Sequence, residues 1–149
     1  MDFKYMDIAF LEAKRAFKCG EVPVGAVIVK NGVILAKAYN KKEKTGCAIN
    51  HAEILAIKKA SKRLKNWRLE DCDIYVTLEP CPMCASAIKQ SRIKNVYSAI
   101  SNKDKNNNEL ILKIFNTDAV NAGVNFINEL AVEKSETLLQ KFFSERRKK

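Results

Sequence analysis

The stretch Cys72-Asp73-Ile74-Tyr75-Val76-Thr77-Leu78-Glu79-Pro80-Cys81-Pro82-Met83-Cys84 decides how this chain is read. Its first half, Ile74 to Leu78, is a short apolar run bounded by acids and proline, which predicts a buried strand over Cys72 to Leu78. Its second half predicts a helix from Pro82 to about Ser91, because proline suits the first turn of a helix. The strand delivers Glu79, Pro80 and Cys81 at its C-terminal end. In open α/β sheets that end is where ligands bind.

Cys81 and Cys84 are spaced i, i+3, so on the first turn of a helix both sulfurs face the same way. About thirty residues upstream stands Asn50-His51-Ala52-Glu53, with His51 the one histidine of the chain. The apolar residues Ile54, Leu55 and Ile57 follow it and predict a second helix running to about Lys65. His51, Cys81 and Cys84 offer three N/S ligands, which is a zinc site with its fourth position open, the catalytic arrangement. Water at such a site falls from a pKa of about 16 to about 7. Two helix starts add partial positive charge that favours thiolates. Glu53, two residues past the histidine, is a proton carrier beside the metal. It is also one member of a near capping box, Asn50-x-x-Glu53, with Asn50 as N-cap. A closed structural site is the rival arrangement, with Cys47 joining His51, Cys81 and Cys84 as a fourth ligand.

Outward from these motifs, Phe3 to Cys19 carries Met6, Ala9, Phe10, Ala13, Ala16 and Phe17 at helical spacing and predicts an amphipathic cover helix stopped by Gly20. Val22 to Val29 and Ile34 to Tyr39 flank Asn31-Gly32, a hairpin signal. Gly25 within a strand marks either a bulge or a close approach by another group. Asn40 opens a polar loop, Lys41 to Gly46, and suits a turn or cap. Lysines 58, 59, 62 and 65 read as a solvated helix face. Val96 to Ile100 gives a fourth strand, Ser101 to Asn108 a polar loop, Leu110 to Phe115 one or two helical turns, and Val124 to Ile127 a short fifth strand. A last helix, Glu133 to about Arg147, carries Leu138, Leu139, Phe142 and Phe143 and ends on basic residues. Those cations complement a helix C-terminus or contact phosphate, with a phenylalanine near a base. Adjacent phenylalanines are normally core, so at least one of the two is expected inside.

At 149 residues the chain is expected to be one domain, 1–149, with a proper core. No apolar run approaches the 18 or so residues of a membrane span, and the first residues lack a signal-peptide core. These features predict a cytoplasmic protein. The five cysteines are an odd number and two form C-x-x-C, which favours metal over a disulfide framework. The formal net charge of +10 suits a polyanionic partner, although a general lysine bias would supply the same charge.

His51-Ala52-Glu53 with Pro80-Cys81-Pro82-Met83-Cys84 fits H-x-E followed by P-C-x-x-C, the pattern of zinc nucleobase deaminases. With Glu21-Val22-Pro23-Val24-Gly25-Ala26-Val27, Asn40, and Phe142-Phe143 followed by Arg146-Arg147, the chain resembles the tRNA-specific adenosine deaminases over nearly its whole length. The expected fold is a three-layer α/β/α sandwich with a central mixed sheet of about five strands, similar to cytidine deaminase. The resemblance implies one Zn2+ per chain on His51, Cys81 and Cys84, hydroxide supplied to C6 of adenosine, and Glu53 moving the proton. It implies Asn40 and Ala52 against the nucleoside, and Phe142, Phe143, Arg146 and Arg147 against RNA. It further implies the wobble base of a tRNA anticodon stem-loop as target, and a homodimer. One departure stands out: Ser101 falls where the family usually has aspartate, and the glycines common just after it are absent. The rival activities are deamination of a free base, nucleoside or nucleotide (cytosine, cytidine, dCMP or guanine), and zinc-stabilised RNA binding without catalysis.

Overall fold

The computed structural model describes residues 1–117 and 123–147. The hairpin forms where Asn-Gly predicts it. Strands β1 (Gly25–Lys30) and β2 (Val33–Tyr39) pair antiparallel. Asn31 and Gly32 both take positive φ, 50° and 77°, as a tight primed turn requires. On its other edge β1 pairs antiparallel with β3 (Cys72–Val76). β4 (Asn95–Ser98) and β5 (Asn125–Ile127) extend the sheet in parallel. The order is β2-β1-β3-β4-β5, the mixed five-stranded sheet that the sequence predicts.

The period-two alternation of the strands divides the core into two layers. Val27, Val29, Tyr75 and Tyr97 face α1 (Phe3–Lys18), whose Tyr5, Met6, Ala9 and Phe10 pack on them. The tyrosines stack along the sheet, with Tyr75 and Tyr97 ring centres 4.8 Å apart. Ala26, Ile28, Ile74, Val76 and Val96 point the other way. They meet α3 (Ala52–Leu64), α4 (Pro82–Gln90) and α5 (Lys105–Asn116) through Ala56, Ala60, Ile88, Ile111 and Phe115. The last helix, α6 (Val132–Arg147), joins α1 on the tyrosine side, where Leu138 packs against that cluster. Lysines 58, 59, 62 and 65 are exposed, as a solvated face requires.

Gly25 is a close approach, not a bulge. A Cβ there would lie 2.0 Å from the Ala9 carbonyl oxygen and 2.7 Å from the Ala13 nitrogen, so α1 rests directly on the start of β1. The register shift of the hairpin falls further along, between Ile28 and Val29.

Two elements differ from the sequence expectation. The polar loop after Asn40 holds a single helical turn, α2 (Lys42–Thr45), closed by Gly46 in the left-handed region. α5 is twelve residues long and begins inside the stretch expected to be loop. Its N-cap is Asp104, whose carboxylate accepts from the Asn106 N–H at 2.9 Å. Its far end is held by the buried Lys89, which donates to the Phe115 carbonyl at 2.8 Å and to that of Thr117. Among the described residues no helix is long and apolar enough to cross a membrane.

Candidate active site

The C-terminal end of β3 is clamped before the cysteines begin. Thr77 N–H donates to the Gly25 carbonyl and its hydroxyl accepts from Gly25 N–H, both at 3.1 Å. Ser135 of α6 donates to the Thr77 carbonyl at 2.6 Å. Cys81 is then the extended N-cap of α4 with Pro82 in the first turn, and Cys84 follows inside that turn. His51 is the extended N-cap of α3. Two helix N-termini therefore converge on one point, as the i, i+3 spacing and the apolar run after His51 predict.

His51 Nδ1 lies 3.7 Å from Cys81 Sγ and 3.5 Å from Cys84 Sγ. All three ligand atoms fall within 4.8 Å of one another. Zinc bonds of about 2.0 Å to nitrogen and 2.3 Å to sulfur, at tetrahedral angles, put N and S about 3.6 Å apart. The donor set and its spacing therefore fit zinc. Cys47 is no part of this cluster among the described residues, which removes the fourth ligand of the closed arrangement.

The electrostatics also ask for a cation. The Cys81 thiol is pulled down to about 4, first by a hydrogen bond from Cys84 and then by His51 and the Cys84 backbone N–H. Cys84 is pushed up, because it is the thiol that donates to Cys81 and because it is buried. His51 is raised by its contact with Cys81. Glu53 is raised by burial, with the Cys81 charge acting in the same direction. A thiolate and a carboxylate that resist sharing one apolar pocket become compatible when a divalent cation sits between them.

Glu53 is 4% exposed. The N-cap of α3 is His51, not Asn50, so Glu53 is the second helical residue and the capping box does not form. Asn50 instead donates to the Thr45 hydroxyl at 2.9 Å. Glu53 lies on the wall of a cavity of about 330 Å³, together with His51, Cys81, Ala52, Asn40 and Arg146. Ala52 is fully buried. Asn40 is both turn residue and wall: its side-chain oxygen accepts from Lys42 N–H at 3.1 Å and its amide donates to the Val22 carbonyl at 3.3 Å.

The C-terminal aromatic pair splits. Phe142 is buried, its ring 5.9 Å from Phe17, so it belongs to the α1–α6 packing and does not offer a face to a base. Phe143 is exposed and lines a neighbouring hollow of about 570 Å³ with Leu78, Ile100, Asn102 and Gln140. Arg146 stacks over Phe142 at 5.2 Å and reaches the first cavity. Arg147 closes α6; Lys148 and Lys149 lie outside the described residues. Ser101 donates to the Glu129 carboxylate at 2.9 Å.

Two buried carboxylates on the same cavity escape a reading of the sequence, Glu21 and Glu79. The two oxygens of Glu21 accept from the N–H groups of Glu43 and Lys44 at 2.8 and 2.7 Å, capping α2 from a distance. Glu79 is held by asparagines from beyond β4. The sequence signal available was only their place in the matched stretches around Pro23 and Pro80.

Residues 1–100 match the cytidine and deoxycytidylate deaminase zinc-binding region. The tRNA-specific adenosine deaminase of Bacillus subtilis is 40% identical over 148 residues, 99% of this chain and 92% of its own. That of Aquifex aeolicus is 42% identical over 143 residues, 96% of this chain and 94% of its own. A solved structure from work on A-to-I editing by tRNA:A34 deaminases at the wobble position superimposes with a TM-score of 0.85. It is 33% identical, covering 93% of this chain and all of the other.

Proposed function

The chain belongs to the tRNA-specific adenosine deaminases, within the cytidine and deoxycytidylate deaminase family, and we propose that it converts the wobble adenosine of a tRNA anticodon to inosine. Water adds at C6 of the purine and the 6-amino group leaves as ammonia. The observation that carries this reading is the convergence of His51, Cys81 and Cys84 on one point, with Glu53 buried in the same cavity. His51 Nδ1 and the two sulfurs hold the metal, one zinc per chain. Zinc at such a site lowers the pKa of water from about 16 to about 7 and supplies hydroxide at neutral pH.

Glu53 takes one proton of the attacking water on its carboxylate and delivers it to N1 of the ring; it then takes the proton of the new C6 hydroxyl and passes it to the amino group, which leaves as ammonia while the C6 oxygen becomes the carbonyl of inosine. Burial raises the pKa of Glu53, which strengthens its carboxylate as a proton acceptor. Asn40 and Ala52 line the wall against which the nucleoside rests, and Val22, Val24 and Leu78 supply apolar surface around it. The wobble base is unpaired in an anticodon loop, so bringing it into the cavity costs little. Arg146 at the cavity and exposed Phe143 beside it offer a cation for phosphate and a ring for a flanking base. The working protein is a cytoplasmic homodimer of a single 1–149 domain.

The test is nucleoside mass analysis of an anticodon stem-loop RNA carrying adenosine at the wobble position, incubated with the zinc-loaded protein. Inosine should accumulate far faster than from free adenosine, cytidine or guanine at equal concentration. A preference for a free base or nucleoside would make this a metabolic deaminase.

A further inference from the structure

Glu79 stands two residues before Cys81 and is 2% exposed. The ion pairs of the described residues lie elsewhere, on Asp2, Glu12 and Asp7. Its charge is met by neutral donors alone. Oε1 accepts from the amides of Asn108 at 2.6 Å and Asn128 at 3.0 Å. Oε2 accepts from the Asn107 amide at 2.8 Å and from Asn102 N–H at 3.3 Å. A carboxylate has about four acceptor sites, and all are filled. Asn107 also donates to the Pro80 carbonyl at 3.2 Å, so the turn carrying Cys81 is gripped at two successive residues.

The donors come from separate segments. Asn102 lies in the loop after β4, Asn107 and Asn108 in the first turn of α5, and Asn128 between β5 and α6. Asn128 is itself fixed, accepting from the Ser98 hydroxyl and donating to that of Ser101, both at 2.7 Å. Asn106, one residue earlier on α5, is exposed, whereas Asn107 and Asn108 are half-buried toward Glu79. The asparagine-rich stretch is therefore not merely a solvated loop. Asn102 also lines the cavity that contains His51 and Glu53.

We propose that Glu79 is a positioning residue: through Asn102, Asn107, Asn108 and Asn128 it couples the placement of the metal ligand Cys81 to the loop after β4, whose Asn102 lines the substrate cavity. The coupling follows from saturation. A carboxylate with a vacant acceptor site rotates to find water. One held by four donors on three segments passes a shift of any of them to Pro80 and Cys81. Saturation also removes Glu79 from the chemistry, since no acceptor site remains for a proton or a metal.

This rests on reading His51, Cys81 and Cys84 as the zinc site, and the test uses a metal readout that does not need RNA. Glu79→Gln turns an amide donor toward the donors of Oε2 or Oε1. Asn107→Asp, on a half-exposed helix position, sets a carboxylate against Glu79 from the other side. Each single variant should weaken zinc retention against a competing chelator by about 10-fold, the low end of the cost of losing a group bonded directly to a metal ligand, because Glu79 and Asn107 hold the Pro80 turn and not the ligands themselves. Each should also shift the visible absorption bands of the cobalt-substituted protein, at temperatures far below unfolding. The double variant Glu79→Gln/Asn107→Asp restores a donor–acceptor pair between the two side chains with the same total charge, but not the bond from residue 107 to the Pro80 carbonyl. It should recover part of the loss, so that zinc retention is weakened by clearly less than the two single effects combined, a coupling read as a double-mutant cycle. With RNA, the single variants should raise KM as well as lower kcat, because the Asn102 wall moves too. Wild-type retention and cobalt spectrum in both single variants would overturn the proposal, as would additive losses in the double variant. A wild-type protein that holds zinc but ignores RNA would overturn the substrate reading instead, and leave the metal and cobalt results decisive for Glu79.

Discussion

Replacing Glu53 by glutamine separates chemistry from architecture, because the two roles predict opposite signs. As proton carrier, Glu53 is worth the roughly 100- to 10,000-fold typical of general acid–base catalysis, or about 3–5 kcal/mol of barrier. The amide carries no proton, so kcat for stem-loop RNA should fall by that factor while zinc content is kept. As helix cap, Glu53 would instead contribute about 1 kcal/mol of stability, lost on substitution. The structure decides between them. Burial raises the pKa of Glu53, although its own N–H, His51 and the Cys84 thiol pull the other way. The folded, zinc-free protein thus holds this charge at a net cost. A raised folded pKa means the charged form loses stability as pH climbs from the unfolded value of about 4.3. The zinc-free glutamine variant should therefore be at least as resistant to urea as the parent at pH 7, and its advantage should vanish below about pH 4. The assay pairs single-turnover inosine formation with urea melts at both pH values. Near-normal turnover together with a stability loss of about 1 kcal/mol would refute the reasoning.

Cys84→Ser should abolish stoichiometric zinc by elemental analysis, whereas Cys47→Ser should leave it unchanged, because Cys47 lies outside the ligand cluster. In the zinc-free protein at pH 6, iodoacetamide should modify Cys81, whose thiol is pulled down to about 4, well before Cys84, whose pKa is raised; peptide mass analysis reads the order. Gly25→Ala should destabilise by about 3 kcal/mol in urea, the upper range for overpacking, since the new methyl meets backbone atoms of α1 that cannot rotate away. Arg146→Ala should weaken stem-loop binding and flatten its salt dependence by about 0.7 in log–log slope, one single-strand phosphate contact, without changing zinc content.

What the sequence discloses and what it hides divide along range. The hairpin at Asn31-Gly32, the strand Cys72 to Val76 and the three zinc ligands are written in local chemistry: a turn dipeptide, an alternation, an i, i+3 pair after proline. The start of α5 was hidden because Lys105 to Asn108 has no apolar periodicity and asparagine competes with helix for backbone bonds. Only the pairing of those amides with Glu79, more than twenty residues away, gives them a purpose. Phe142 and Phe143 are indistinguishable in sequence. Their fates depend on how α6 is rotated against α1, which places Phe142 on Phe17 and turns Phe143 outward.

Glu21, Glu53 and Glu79 make the same point about function. All three are buried on the wall of one cavity, and composition alone would rank them as equal candidates for proton transfer. Their partners separate them. Glu21 spends both oxygens on the N–H groups that open α2, and Glu79 spends both on the asparagines around the Cys81 turn. Each anchors one loop that lines the cavity. Glu53 faces the metal ligands, and His51, Cys81 and Cys84 all act on its pKa. A proton can come and go there without unmaking the walls. This difference in partners is what favours Glu53, of the three, for the proposed proton transfer.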